Sequence, residues 1–323
     1  MSRSTGTETR HGAPSSSHRV EYAMLRVAVF LAGLFPLRCS LRFGSCLGWT
    51  AWRLLRIRRK VVLRNLSLAF PEMTPGETDR IACLSYRSTG RFMMEFARQA
   101  RMDGEYVTRH VTIDDPARLE ELRGLGGAIV ITGHFGSWEL FGVTMKQLLG
   151  DLSFLVGRQS NRLVDGFING LRSCHGITLY NRRSAVRGVS TSLGRGGYVC
   201  WISDQDAGRS GMVVDFFGHP ASTPRGAAAF AVKRGVPVVV GVLVRDGSGP
   251  DHRLVLSAPV RPRTDLPAED AERDLTQRYT LEIEKMVRLH PDQYWWSHRR
   301  WKSTGVYGGG SPVAAAPLRE EGD

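Results

Sequence analysis

The chain has 323 residues, of which 42% are hydrophobic and 23% charged. That is enough for a sizeable core in one large or two small domains, and it excludes a mainly disordered or collagen-like chain. Lysine and arginine number 44 against 31 acids, a net charge of +13, which points to a polyanionic partner: nucleic acid or an anionic membrane surface.

Residues 1–18 are polar and rich in Ser, Thr and Gly, and read as a disordered lead. From Tyr22 to Pro71 there is no acid, yet the stretch holds Arg26, Arg38, Arg42, Arg53, Arg56, Arg58, Arg59, Lys60 and Arg64. These cations are mixed with very apolar sequence such as Val27–Pro36. Nucleic-acid tails are basic and polar; this one is basic and greasy, which favours anionic membrane lipids over nucleic acid. Arg26 and Arg38 bracket 11 residues, short of the ~20 that span a bilayer, and Pro36 interrupts them. A secretory signal would start earlier and end on a small-residue cleavage site. Residues 19–70 therefore read as a membrane-associated helical hairpin or helix pair. Arginines would reach headgroups, with Leu, Phe, Trp49 and Trp52 set deeper. The alternatives are a core helix pair with a basic outer face, or one tilted span. Five cysteines without a CxxC read as reduced thiols, with no disulfide frame and no zinc site.

From Glu72 the composition is ordinary. Thr74-Pro75-Gly76-Glu77 predicts a helix start, with Thr as cap and Pro in the first turn. Apolar runs then predict strands at Ala128–Thr132, Ser153–Val156, Ile177–Tyr180, Tyr198–Ser203, Val236–Val244 and Arg253–Ser257. Helices are predicted near Trp138–Leu149, Asn161–Cys174, Ala185–Leu193 and Arg225–Arg234. The alternation predicts an α/β domain over 71–302, with a central largely parallel or mixed sheet flanked by helices. A last helix through Leu275, Tyr279 and Ile283 stops before Pro291, and residues 303–323 read as a flexible tail.

The stretch Gly126–Gly142 carries the chemistry. A buried strand ends at Thr132, Gly133 allows a tight approach, and His134 stands at the strand's carboxyl end, where open α/β sheets bind ligands. Histidine there suits a general base. Glu139 follows after four residues. If the chain turns between them, its carboxylate can orient the imidazole while the other ring nitrogen faces a substrate hydroxyl. Ser137 as a nucleophile is a weaker alternative, because HFGSWEL is not the G-x-S-x-G elbow. The bland alternative is a core histidine beside a solvated glutamate.

With these residues the chain resembles the bacterial lipid A biosynthesis acyltransferases (the lauroyl and myristoyl transferases) of the lysophospholipid acyltransferase-like group. The resemblance runs from about Tyr22 to Lys302. It rests on RNLSLAFPEMT (Arg64 to Thr74), GHFGSWE, SDQDAG (Ser203 to Gly208), FFGHPASTPRGAAAFA (Phe216 to Ala231) and HPDQYWWSHRRWK (His290 to Lys302). It implies transfer of a fatty acyl group from a thioester, on acyl carrier protein or coenzyme A, to a hydroxyl of a glycolipid. The commonest acceptor is a lipid A precursor, met at the cytoplasmic face of the bacterial inner membrane. Other acceptors in the same chemistry are a phosphatidylinositol mannoside or a lysophospholipid. A non-catalytic membrane-binding protein of this fold is a further alternative. On this resemblance His134 is the base, Glu139 orients it, and neither metal nor cofactor is needed. Arg172 falls where the family places a functional arginine and would bind an acceptor phosphate or carboxylate. Asp204, at a strand end, would bind a sugar or orient Arg172. Arg225, at a helix start where the family more often has a small or hydroxyl residue, would either read an anionic headgroup or sit outside the site.

Overall fold

The computed structural model describes residues 15–181 and 184–308. Most of the polar lead (1–14) and most of the expected tail (309–323) lie outside the described residues. The nearer parts of both are folded: Ser15 caps a helix, and Thr304 is buried.

Two helices, α1 (Ser16–Leu34) and α2 (Leu37–Arg53), are separated at Pro36. They are followed by α3 (Arg59–Ala69) and α4 (Pro75–Ala97). The start of α4 is a capping box: Thr74 Oγ1 accepts the Glu77 N–H at 3.3 Å, and Glu77 Oε2 accepts the Thr74 N–H at 2.8 Å. The α/β body continues with α5 (Gly104–His110), β1 (Val111–Ile113), α6 (Pro116–Gly124), β2 (Ala128–Thr132), α7 (Trp138–Leu149), β3 (Leu152–Leu155), α8 (Arg162–Ser173), β4 (Thr178–Tyr180), α9 (Ala185–Gly194) and β5 (Tyr198–Ile202). It closes with β6 (Met212–Phe216), β7 (His219–Thr223), α10 (Gly226–Arg234), β8 (Val238–Arg245), β9 (His252–Leu256) and α11 (Ala268–Leu289).

Seven strands form one sheet in the order β1-β9-β8-β2-β5-β3-β4. Strands β8, β2, β5, β3 and β4 are parallel; β9 runs antiparallel to β8, and β1 is parallel to β9. The sheet is thus mostly parallel and mixed at one edge, flanked by helices. Both β2 and β8 are buried along their whole length, as continuous apolar runs require when helices cover both faces. One face carries Ile129, Ile131, Val240 and Tyr279; the other carries Val130, Phe141, Leu243 and Leu122. The β6–β7 hairpin forms a separate two-stranded sheet that the apolar pattern did not predict. Pro220 and the short polar run at its second strand hide the alternation.

The predicted helix pair exists, but its faces divide differently from expectation. The inward stripe of α2 is small: Ser40, Gly44, Ser45 and Gly48 are buried with Leu41 and Trp52. A Cβ on Gly90 of α4 would lie 1.9 Å from the Gly44 carbonyl oxygen, so the two backbones touch there. Trp52, expected to enter the membrane below the headgroups, is fully buried in the protein; its indole donates to Asp79 at 3.2 Å and Arg59 stacks on it at 4.5 Å. Asp79 also pairs with Arg53 and Arg59, at 2.6 and 2.8 Å. The carbonyls ending α1 are capped from α4 and the turn after it. Arg98 donates to Ala32 and Phe35, and Arg101 to Gly33. The outward faces remain apolar, with Met24, Phe30, Leu34 and Phe35 on and after α1, and Phe43 and Leu47 on α2, all exposed. No helix among the described residues is long and apolar enough to cross a membrane.

Candidate active site

Strands β2 and β5 lie side by side in parallel register, so Thr132 and Ile202 end at the same sheet edge. Each strand delivers one functional side chain just past its end: His134 from β2 and Asp204 from β5. They meet there. The His134 Nδ1 and Asp204 Oδ1 are 2.8 Å apart, and the His134 backbone N–H donates to Asp204 Oδ2 at 2.7 Å. Gly133 makes room, since a Cβ there would stand 3.1 Å from Asp204 Oδ2.

Burial works against the charge of Asp204, yet the His134 ring, the two hydrogen bonds from His134 and the nearby Arg300 hold its carboxyl below the ordinary value. An ionised Asp204 accepts an N–H from Nδ1 and leaves the ring's lone pair on Nε2. The ring is boxed in on its other sides. Trp138 and Trp295 meet it edge-on at 5.2 and 5.4 Å and stack on each other at 5.3 Å. The Gln205 amide nitrogen lies 3.2 Å from both ring nitrogens.

Glu139 does not supply the partner of His134, and that expectation is corrected. It sits in the first turn of α7, buried, and is taken bidentately by Arg172 of α8: Nε to Oε2 at 2.9 Å and Nη2 to Oε1 at 2.5 Å. As the second residue of α7, Glu139 meets α8 rather than the imidazole ring nitrogens. Arg172 therefore faces a protein carboxylate, and its Nη1 reaches Asn169 at 3.3 Å. Asp204, expected on a sugar or on Arg172, is hydrogen-bonded to His134 instead.

His134, Glu139, Arg172 and Arg225 all line one cleft of about 630 Å³, with Asp204 buried directly behind His134. The lining is mixed: Trp138, Phe154, Leu155, Val156, Trp201 and Ile202 are apolar, and Gln159, Gln205, Asp206, Ser210 and Arg225 are polar. Arg225 precedes α10, half exposed, and pairs with Glu272 at 2.7 Å. Cys200 also lines the cleft, but burial first, and the Glu139 charge second, push its thiol up to about 12. Ser137 is buried and its hydroxyl donates to Glu95, not into the cleft. Among the described residues no three His, Cys, Asp or Glu side chains cluster to hold a metal ion.

The site is thus a partly apolar cleft lined by a histidine that a buried carboxylate holds, and comparison with known proteins gives its family. Residues 10–303 match the family model described as bacterial lipid A biosynthesis acyltransferase. The chain belongs to that family. It is 26% identical to the lipid A biosynthesis lauroyltransferase of Escherichia coli K12 over 278 residues, covering 85% of this chain and 89% of the relative. It is 27% identical to the lipid A biosynthesis myristoyltransferase of the same organism over 253 residues, 77% of each. A phosphatidylinositol mannoside acyltransferase of Mycobacterium tuberculosis H37Rv is 26% identical over 184 residues, 54% of this chain and 58% of that one.

In this acyltransferase three features escaped the sequence reading. The His134–Asp204 contact depends on which strands are neighbours. The box of Trp138, Trp295 and Gln205 joins segments distant in sequence. The third is the buried Arg300, which donates to the Ser222 carbonyl at 2.6 Å and to Thr223 at 2.5 Å. The signal that was available is SDQD directly after a buried strand, which marks the same sheet edge as GHFG.

Proposed function

We propose that the protein moves a fatty acyl group from an acyl thioester, on acyl carrier protein or coenzyme A, to a hydroxyl of a glycolipid, a lipid A precursor. His134 is the general base and Asp204 its orienting carboxylate. The observation that carries this reading is the double hydrogen bond from His134 to a buried Asp204, beside a cleft lined partly by apolar side chains.

His134 Nε2 takes the hydroxyl proton as the hydroxyl oxygen attacks the thioester carbonyl. The C–O bond forms, the C–S bond breaks, and the imidazolium returns its proton to the departing thiolate. Asp204 stabilises the transient imidazolium, a contribution of about 10²–10⁴ in rate for the base as a whole. Glu139 fixes the Arg172 guanidinium in one plane at the cleft, where its remaining N–H donors would stabilise a developing oxyanion. The apolar side chains of the lining suit the acyl chain, and Arg225 at the start of α10 suits an anionic group on the acceptor. The proposed steps need only side chains and the thioester. The outward apolar face of α1 and α2, studded with arginines, would hold the protein on the cytoplasmic face of the inner membrane, beside its lipid acceptor.

The test is transfer by purified full-length protein, with acyl carrier protein and coenzyme A thioesters offered separately. The acceptors are a lipid A precursor, a phosphatidylinositol mannoside and a lysophospholipid, with products read by mass spectrometry. Acylation of the lipid A precursor, lost in His134→Ala, is expected. Transfer to one of the other acceptors alone would replace the acceptor, and no transfer to any would overturn the reading.

A further inference from the structure

Ser137 has no part in the mechanism above, yet it ends the loop that carries His134. Its hydroxyl donates to Glu95 Oε2 at 2.7 Å inside the protein, where both residues are 1% exposed. Glu95 is therefore a carboxylate on α4 with no access to water. The same oxygen accepts from Arg245 Nη2 at the end of β8, also buried, while His252 of β9 stands 3.5 Å from the other oxygen. Burial opposes the charge, but Arg245 first and His252 second hold the Glu95 carboxyl well below its ordinary range.

Arg245 is gripped in turn. Its N–H donates to Gln293 Oε1 and its carbonyl accepts from Gln293 Nε2, both at 2.9 Å. The Gln293 carbonyl accepts the Gly136 N–H at 2.9 Å. The circuit returns to the loop it left: Ser137, Glu95, Arg245, Gln293, Gly136. Gly136, at φ +53°, completes it, because a Cβ there would lie 2.1 Å from the Leu243 carbonyl oxygen.

A buried ion pair is weak ground for stability, since desolvating both charges offsets most of their attraction. Apolar side chains would fill the same space. Directional bonds do what apolar contact does not: they fix the peptide planes around His134 in one orientation. A displacement of about 1 Å at a reacting group costs on the order of 10²-fold in rate.

We propose that Glu95, braced by Arg245, is a positioning residue: through the Ser137 hydroxyl it sets the 133–137 loop so that His134 Nε2 faces the acceptor hydroxyl. The proposal rests on the acyl-transfer reading. It makes Ser137 a strut and gives α4 a direct link between the helix pair α1–α2 and the catalytic loop.

Ser137→Ala in full-length, detergent-solubilised protein is the test, because it cuts the strut and leaves the Glu95–Arg245 pair whole. Two readouts are taken: steady-state kinetics, and the ¹⁵N signals of the His134 ring by NMR. A kcat lowered about 10- to 100-fold is expected. KM for both substrates should stay within about twofold, and the His134 ring signals should shift. Wild-type kcat with unchanged His134 signals overturns the proposal. So does a loss of rate that merely tracks a large fall in melting temperature, which would mark Ser137 as structural only. If wild-type protein transfers no acyl group, the acyl-transfer reading fails by itself, and the NMR comparison still decides whether Ser137 holds the ring.

Discussion

Asp204 holds His134 twice, through the ring at 2.8 Å and through the backbone N–H at 2.7 Å, although the two stand 70 positions apart. The neighbouring strands β2 and β5 bring them together, and Gly133 lets the carboxylate close in. Asp204→Asn keeps the shape and removes the charge that supports an imidazolium. Its amide can also present N–H to Nδ1, which inverts the useful tautomer. Initial rates should show kcat lower by about 10²–10⁴ with KM little changed. A kcat within fivefold of wild type would remove Asp204 from the mechanism.

Glu139 and Arg172 behave differently. Their side chains are 7% and 17% exposed and bound to each other by two bonds. Removing one partner leaves an uncompensated buried charge, a loss of about 3–5 kcal/mol. Arg172→Met and Glu139→Leu should each lower the urea midpoint sharply. The double substitution should recover much of that stability while staying inactive. Two additive losses in the denaturation curves would mean that the pair does not act as a unit.

The contrast between these two carboxylates shows what the sequence could and could not convey. Residues such as Ala128–Thr132 and Val238–Val244 are read without difficulty, because a strand buried on both faces is apolar throughout. The motif around His134 is local, and a strand that ends in Gly-His already places the base at the binding edge. Its partner is not local. Nothing in the spacing of Asp204 says that β5 lies next to β2 rather than two strands away. Proximity in sequence favoured Glu139, which the helix geometry of α7 turns toward Arg172. Trp52 misled for a related reason. An aromatic amid arginines resembles an interfacial anchor, but the glycines of α2 bring that face against α4 and bury the ring.

Cys200 is the nucleophilic side-chain type nearest to a covalent route, and its thiol is pushed up to about 12. A protonated, buried thiol is a poor nucleophile. Cys200→Ala should retain at least half of the wild-type rate, and iodoacetamide at pH 8 should not inactivate through that residue. Trapping a radiolabelled acyl adduct on Cys200 or Ser137 during turnover would establish an acyl-enzyme in place of direct transfer.

Two groups near the cleft contribute to the acid sensitivity of the fold, beside the buried Glu95. Burial, with His134 and Arg300, lowers the His298 pKa, and neutral His298 Nε2 accepts the Asp206 N–H at 3.0 Å. The unfolded chain binds the proton more readily there, so this contribution is complete above about pH 6.5 and is lost as pH falls toward the folded value. Asp204, with its carboxyl lowered in the fold, contributes above about pH 3.9 and is lost as pH falls through its own folded value. The melting temperature should therefore fall in two stages on acidification. His298→Asn should flatten the first stage and leave the second. A melting temperature constant from pH 7.5 to 5 would contradict the His298 assignment.

The helix pair offers the last test. Leu41 and Trp52 belong to the core, so deleting residues 1–55 would unfold more than a membrane anchor. Point substitutions on the outer face are cleaner. Phe30, Leu34 and Phe35 are 65%, 61% and 57% exposed and add little to the fold. Inserted into a bilayer, each such side chain is worth about 1.5–3 kcal/mol. Arg38, Arg42 and Arg56 are exposed on the same segment, and each contributes about 1 kcal/mol near an anionic surface, screened by salt. Full-length protein should stay on phosphatidylglycerol-containing vesicles through a 1 M salt wash and come off in detergent, because apolar insertion is not screened. Phe30→Ser, Leu34→Ser and Phe35→Ser together should bind at low salt and release at high salt. Replacing the three arginines with glutamine should weaken binding at low salt and leave the salt-resistant fraction in place. Complete release of the wild-type protein by salt alone would mean that the apolar face does not insert, and that the contact is electrostatic.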